Sequence, residues 1–232
     1  MVTEFILLLV GGYLMGAIPT AYLAARWSRG IDIRQYGSGN VGGANLFKVT
    51  AKRIAILASI FDFGKAMPAA AVAHIIGLDV TQQVVIGVAA VVGHNWPIFL
   101  RFSGGRGIAT LLGVAFIVPI LNGMVPWSLI SFLAIMIINV FTVRTIPLGI
   151  AIAVASMPIV SWAAGEPTGL TLGFVAMFVI MVVRRLTPRR TPISASVPTG
   201  ELLLNRFLFD RDIRDREAWV HRQPVDSEEG KD

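Results

Sequence analysis

There is no cysteine among the 232 residues. That absence excludes a disulfide framework, thiolate catalysis and cysteine-held zinc or iron–sulfur centres, and it leaves the compartment open. Charge is nearly as scarce. Only 15% of residues are Asp, Glu, Lys or Arg, where a soluble domain carries about 25%. The deficit is uneven: residues 1–183 hold 10 Lys/Arg and 5 Asp/Glu, whereas residues 184–232 hold 10 and 9. With 55% hydrophobic residues and a mean hydropathy of +0.71, the first part excludes a water-soluble α/β or all-β domain. No His, Asp and Glu recur at metal-ligand spacing, so neither a metal nor a cofactor is expected. No internal repeat is evident, which speaks against an inverted-repeat transporter. The net charge of +6 sits mostly between apolar runs, where membrane orientation explains it; no nucleic-acid partner is expected.

What the sequence does have is seven apolar runs, at 5–25, 54–76, 83–100, 108–121, 127–143, 146–163 and 169–183. They predict an all-α polytopic transmembrane bundle of about seven spans. Fusing 108–143 into one helix, or merging the last two runs, gives five or six. The first run is preceded by no basic residue and is longer than the core of a signal peptide, so it is expected to be a first span. If the N-terminus is outside, the outward connections 1–4, 77–82, 122–126 and 164–168 contain no Lys or Arg. Nineteen of the twenty basic residues, Arg144 and the tail's Arg189 and Arg190 among them, then face inward, and Lys65 alone lies within a span. This is a positive-inside pattern with a cytoplasmic C-terminus. The organisation expected is a membrane domain over 1–183 with inward loops 26–53 and 93–107, then a polar tail over 184–232. The tail is either solvated and partly disordered or forms a short surface helix anchored by Phe207, Leu208 and Trp219.

The polar chemistry gathers in those two loops. Gly37-Ser38-Gly39-Asn40-Val41-Gly42 matches G-x-G-x-x-G by letter, but no strand precedes it, so dinucleotide binding is not expected. Its glycines permit backbone N–H groups to converge on an anion, with Ser38 and Asn40 as side-chain donors and Arg34 and Lys48 as nearby charge. The plain alternative is a flexible loop. In the second loop Gly104, Gly105 and Gly107 set Arg106 at a helix start, where open N–H groups, the dipole and a guanidinium favour an anion. His94 and Asn95 stand just before it, as site residues or as interfacial ones. Asp62 and Lys65 are three residues apart inside an apolar run, hence on one helix face. Each is costly there unless paired, so a structural ion pair or a substrate contact is expected.

Taken together, Gly16-Ala17-Ile18-Pro19-Thr20-Ala21-Tyr22, Asp32-Ile33-Arg34, the Gly37–Gly42 segment with Asn45, the Asp62/Lys65 pair and GHNWPIFLRFSGGRGIAT at 93–110 resemble the bacterial acyl-phosphate:glycerol-3-phosphate acyltransferases. The resemblance covers 16–65 and 93–110 closely and 111–183 by hydropathy. It implies a multi-pass enzyme of the bacterial inner membrane, its active site facing the cytoplasm. The reaction implied moves an acyl group from acyl phosphate to the 1-hydroxyl of glycerol 3-phosphate, giving lysophosphatidate for phospholipid synthesis. It further implies that Ser38, Asn45, His94, Asn95 and Arg106 serve the chemistry. Arg34, Gly37, Ser38, Gly39, Asn40, Gly42, Lys48, Gly104, Gly105, Arg106 and Gly107 would surround substrate phosphate. The substrates and the lipid bilayer are the partners implied; protein partners are left open. This chain departs from the family at Gly43-Ala44 (Ala-Thr is usual), at Lys48 (Arg) and at Arg106 (Lys). Of the third motif, an Arg-His-x-x-Asn-Ile segment, only Arg184 remains, with Arg185 and Pro188 at the His and Asn positions. Two other readings therefore stand beside the enzyme: an inactive paralogue acting as a membrane scaffold, and an anion or lipid transporter.

Overall fold

The computed structural model describes residues 1–142, 145–187 and 192–220; Arg144, Pro188, Arg189 and Arg190 lie outside these. The described residues form helices and turns, with no strand. The apolar runs become helices α1 (Val2–Ala17) and α2 (Thr20–Arg29), α4 (Lys52–Gly64) and α5 (Met67–Ile75), α6 (Val80–Asn95), α7 (Ile108–Leu121), α8 (Trp127–Phe141), α9 (Ile146–Ala163) and α10 (Thr168–Leu186). A short α3 (Gly43–Val49) lies in the first loop, and α11 (Thr199–Phe209) and α12 (Arg216–Val220) lie in the tail. Five segments are long and apolar enough to cross a bilayer: 2–29, 52–75, 80–100, 146–163 and 168–186. The apolar α7 and α8 are shorter, at 14 and 15 residues. They are separate helices, divided at Asn122–Pro126 as expected.

Pro19 sets the break between α1 and α2. A proline forces the residue before it out of the helical region, and Ile18 is extended at φ −59°, ψ 114°. Its carbonyl therefore leaves the helix ladder and turns toward the bundle interior. α6 is the central helix, packed on α1, α5, α7 and α10. The α1–α6 contact is a backbone-to-backbone approach: a Cβ at Gly16 would strike the Ala90 carbonyl, and one at Gly93 the Tyr13 carbonyl. Small residues at such crossings let helices meet without a hydrophobic driving force, as lipid requires. Around this core the outer faces are apolar, with Leu7, Leu57, Ile60, Leu133, Ile137, Ile159 and Leu172 all exposed. That surface is suited to hydrocarbon rather than to water.

The connections sort to the two ends of the bundle. At one end the Gln83 side chain accepts from Asn122 Nδ2 at 2.7 Å, and Gly169 lies against Thr81. At the other end both glycine loops meet the tail. There α10 runs past residue 183, and Arg184 and Arg185 are buried in it. For the described tail residues 192–220 the expectation of a solvated segment is overturned: α11 packs on α9 and α10. Arg206 donates to the Leu186 carbonyl at 2.9 Å and pairs with Asp212 at 2.7 Å. Trp219 is buried against protein rather than set out as a lipid anchor. The physical reason is that α10 ends in carbonyls and guanidiniums which need partners, and the tail supplies them.

Candidate active site

The buried centre is built from α4 and α6. Lys65 Nζ lies 3.0 Å from Asp62 Oδ1, donates to His94 Nδ1 at 2.8 Å and to the Ile18 carbonyl at 3.3 Å. Asp62 and Lys65 are 3% and 2% exposed and His94 is 9%. The ammonium thus directs its three protons at three acceptors. Because Nδ1 accepts from Lys65, His94 carries its proton on Nε2. That nitrogen abuts Gly105, where a Cβ would collide with it and would also come within 2.5 Å of the Val41 carbonyl. Gly105 is therefore the point at which the two glycine loops and the buried cluster touch. Thr110 Oγ1, in the first turn of α7, donates to the Asp62 carbonyl at 3.0 Å and locks α7 to α4.

Beside this cluster Asn95 is 0% exposed, and neither atom of its amide finds a partner among the described residues. It faces Gly107, whose positive φ of 73° turns the chain into α7. The first-turn N–H groups of Ile108, Ala109 and Thr110 are likewise without an acceptor among the described residues, and no side chain caps them. A buried amide and an open helix N-terminus at one place are donors suited to an anionic or carbonyl oxygen.

Several expected residues have other work. Asn45 organises the first loop: its Oδ1 accepts from the Ser38 N–H at 2.9 Å, and its Nδ2 faces the carbonyls of Ile33, Tyr36 and Asn40 at 3.2, 3.0 and 3.1 Å. Its amide is saturated and has no donor left for substrate. The Gly39 N–H donates to the Tyr36 carbonyl, and those of Gly104 and Gly105 to the Asn95 and His94 carbonyls. These amides close the loops on themselves. Arg34 chelates Asp32, with Nε 2.9 Å from Oδ1, and stacks 5.4 Å over the Tyr22 ring. Burial pushes the Asp32 carboxyl up, but the Arg34 contacts outweigh it and hold the group below its ordinary range. Lys48 sits on the exposed side of α3; partial desolvation, then Arg216 of the tail, push its ammonium below the usual lysine value. Gly37, Asn40 and Gly42 line the turn that Asn45 gathers, and Ser38 Oγ faces the Asn40 N–H at 3.4 Å.

Arginines complete the site. Arg184 Nε and Nη2 donate to the carbonyls of Gly105 and Gly104 at 3.1 and 2.8 Å, pinning the second loop. Arg106 lies alongside, its Nη1 donating to the Arg184 carbonyl at 2.9 Å and its Nε 2.8 Å from Asp210 of the tail. Asp210 carried no signal in the sequence, where it sat in a run of mixed charge that reads as solvated; Arg185 stood out only as the residue at the third motif's His position.

On the other side of Ile18, an apolar cavity of about 660 Å³ opens between α2 and α4, lined by Leu23, Ala24, Trp27, Leu57 and Phe61 among others. Ile18 belongs to both regions: it lines the cavity, and its carbonyl accepts from Lys65.

Comparison with known proteins agrees with this architecture. Residues 6–191 match the model of the glycerol-3-phosphate acyltransferase family. "Glycerol-3-phosphate acyltransferase 4" of Dehalococcoides mccartyi strain CBDB1 is 41% identical over 97% of both chains. "Glycerol-3-phosphate acyltransferase" of Geobacter sulfurreducens is 38% identical over 79% of this chain and 90% of its own. Among solved structures, the glycerol 3-phosphate form of PlsY (YgiH), an integral membrane glycerol 3-phosphate acyltransferase, superposes with a TM-score of 0.69. It is 30% identical and covers 78% of this chain and 88% of its own. The chain is thus an integral membrane protein and belongs to the glycerol-3-phosphate acyltransferase family.

Proposed function

We propose that this protein transfers an acyl group from acyl phosphate to the 1-hydroxyl of glycerol 3-phosphate. The observation that carries the reading is the double role of Ile18, which places an apolar cavity directly beside a buried Lys–His–Asp cluster. An acyl chain lies in the cavity and presents its reactive carbonyl at the cluster. His94 Nε2–H and the Asn95 amide are donors for the oxygen on which charge develops, and they need no reorganisation there. Arg106 and the open N–H groups of α7 hold substrate phosphate. The substrate hydroxyl attacks the acyl carbon, a new C–O ester bond forms, and the acyl–phosphate C–O bond breaks. The hydroxyl proton leaves with the phosphate, since His94 Nδ1 is engaged by Lys65 and offers no free base. Catalysis is then positioning and charge stabilisation.

We infer seven crossings, the N-terminus outside, and both glycine loops on the cytoplasmic side of a bacterial inner membrane. The basic residues of the inward segments support that orientation, and a cytoplasmic site suits two phosphorylated substrates. The buried and unpartnered Asn95 amide argues against a decayed scaffold, because an idle site would be expected to bury an apolar residue there instead.

Purified protein in lipid, supplied with acyl phosphate and glycerol 3-phosphate, should form lysophosphatidate and phosphate. Binding or passage of glycerol 3-phosphate without product would favour a transporter, and neither would favour a scaffold.

A further inference from the structure

The tail beyond residue 191 lies outside the matched family region, yet it reaches the site. Its position is fixed by buried contacts. Arg206 binds the Leu186 carbonyl, Asp212 accepts from Arg206 and from Ser194, and Arg185 bridges the Phe207 and Pro147 carbonyls at 3.2 and 2.8 Å. This framework delivers Asp210 at the C-cap of α11, with a left-handed backbone at φ 54°, ψ 38°. Glycine is the usual residue there and asparagine the next best. An aspartate is tolerated in that conformation, and here its carboxylate lies 2.8 Å from the Nε of Arg106, an ion pair between buried atoms formed by proximity rather than by an aligned hydrogen bond. Arg106 Nη1 is held by the Arg184 carbonyl, so one side of the guanidinium is fixed. No hydrogen bond engages Nη2 among the described residues. Asp210 is also the nearby carboxylate whose field reaches Arg184 and Arg185 as well as Arg106. Three guanidiniums against one carboxylate leave a surplus of two positive charges, which suits a phosphate dianion.

We propose that Asp210 is a positioning residue for the acyl transfer: it orients Arg106 so that the open Nη2 edge meets substrate phosphate. The C-terminal tail is thereby a working part of the phosphate site. The inference rests on the placement of Arg106 at substrate phosphate argued above. A lone guanidinium on a flexible stem loses rotamer freedom when it binds; one already held by a carboxylate and a carbonyl has lost it beforehand.

The test uses the full chain in lipid, with KM and kcat measured separately for acyl phosphate and glycerol 3-phosphate. Asp210→Asn keeps the size and the left-handed backbone but removes the charge. It should raise KM for one of the two substrates by about 5- to 20-fold, the scale where ordinary and charged polar contacts meet, with kcat within about twofold. The KM for the other substrate and the thermal unfolding temperature should stay close to wild type. Asp210→Gly relieves the backbone and should fold at least as well while showing the same rise in KM. Asp210→Glu should recover part of the loss, and in an Arg106→Ala background Asp210→Asn should add nothing. A normal KM in Asp210→Asn and Asp210→Gly, with Arg106→Ala impaired, overturns the proposal. A lowered KM also overturns it, because the carboxylate would then be a competitor of phosphate. If Arg106→Ala itself turns over like wild type, the placement of Arg106 at substrate phosphate is what fails.

Discussion

Lys65 has three acceptors around it, and each belongs to a different segment of the chain: Asp62 on its own helix, His94 on α6, and the Ile18 carbonyl freed by Pro19. Removing the ammonium leaves a buried carboxylate without a cation and a histidine without its orienting donor. Breaking a buried pair on one side costs about 3–5 kcal/mol. Lys65→Met should therefore lower thermal stability in detergent markedly and abolish turnover. The double variant Lys65→Met with Asp62→Leu should regain much of the stability and none of the activity. Stability equal to wild type in the single variant would show that the pair is not buried as described. At the same scale Arg106→Ala should weaken the use of a phosphate substrate by about 1.5–3 kcal/mol, the range for a charged hydrogen bond. Steady-state rates across a concentration series of each substrate measure it, with membrane insertion checked in parallel.

At the scale of elements, the two glycine loops and the α2–α4 cavity carry the function. Gly105 has buried groups on two sides, His94 Nε2 and the Val41 carbonyl. Gly105→Ala must push the loops apart, and a displacement of this kind costs on the order of 100-fold in rate. Helix content and unfolding temperature should stay near wild type, because the clash is local to the loops. The cavity makes a separate prediction. Ala24→Phe projects a ring into the space lined by Leu23, Trp27 and Leu57. The ratio of turnover with long-chain to short-chain acyl phosphate should fall, and an unchanged ratio would place the acyl chain elsewhere.

These elements also show what a sequence can reveal. Each apolar run became helix because hydropathy is a local property that needs no partner. The Asp62–Lys65 pair was legible for the same reason, since three residues along a helix share a face. His94 could not be assigned to that pair, because only the folded bundle brings the end of α6 beside the end of α4. Arg34 read as positive charge beside the first loop, and in the structure it pairs with Asp32. The loop amides looked open, yet loop closure is satisfied first by the loop's own carbonyls. Arg184 and Arg185 read as orientation charges and as what remains of a third motif, while their role as donors into the second loop, the tail and the start of α9 exists only in the folded chain.

The whole molecule divides into a lipid-facing bundle and one polar end where both loops and the tail converge. If that end is cytoplasmic, single cysteines at Thr50 and Ser103 should resist an impermeant thiol reagent added outside intact cells, and one at Thr81 should react. The chain's own lack of cysteine leaves no background. Labelling at Thr50 from outside would invert the proposed orientation.

The central claim is direct transfer between two bound substrates, with no acylated residue between them. Phosphate release by the reconstituted protein tests it, followed with acyl phosphate alone and then with glycerol 3-phosphate added. The account predicts no release before the addition, followed by phosphate and lysophosphatidate in equal amounts. A burst of phosphate before glycerol 3-phosphate is present would mean that the protein itself takes the acyl group, and would contradict it.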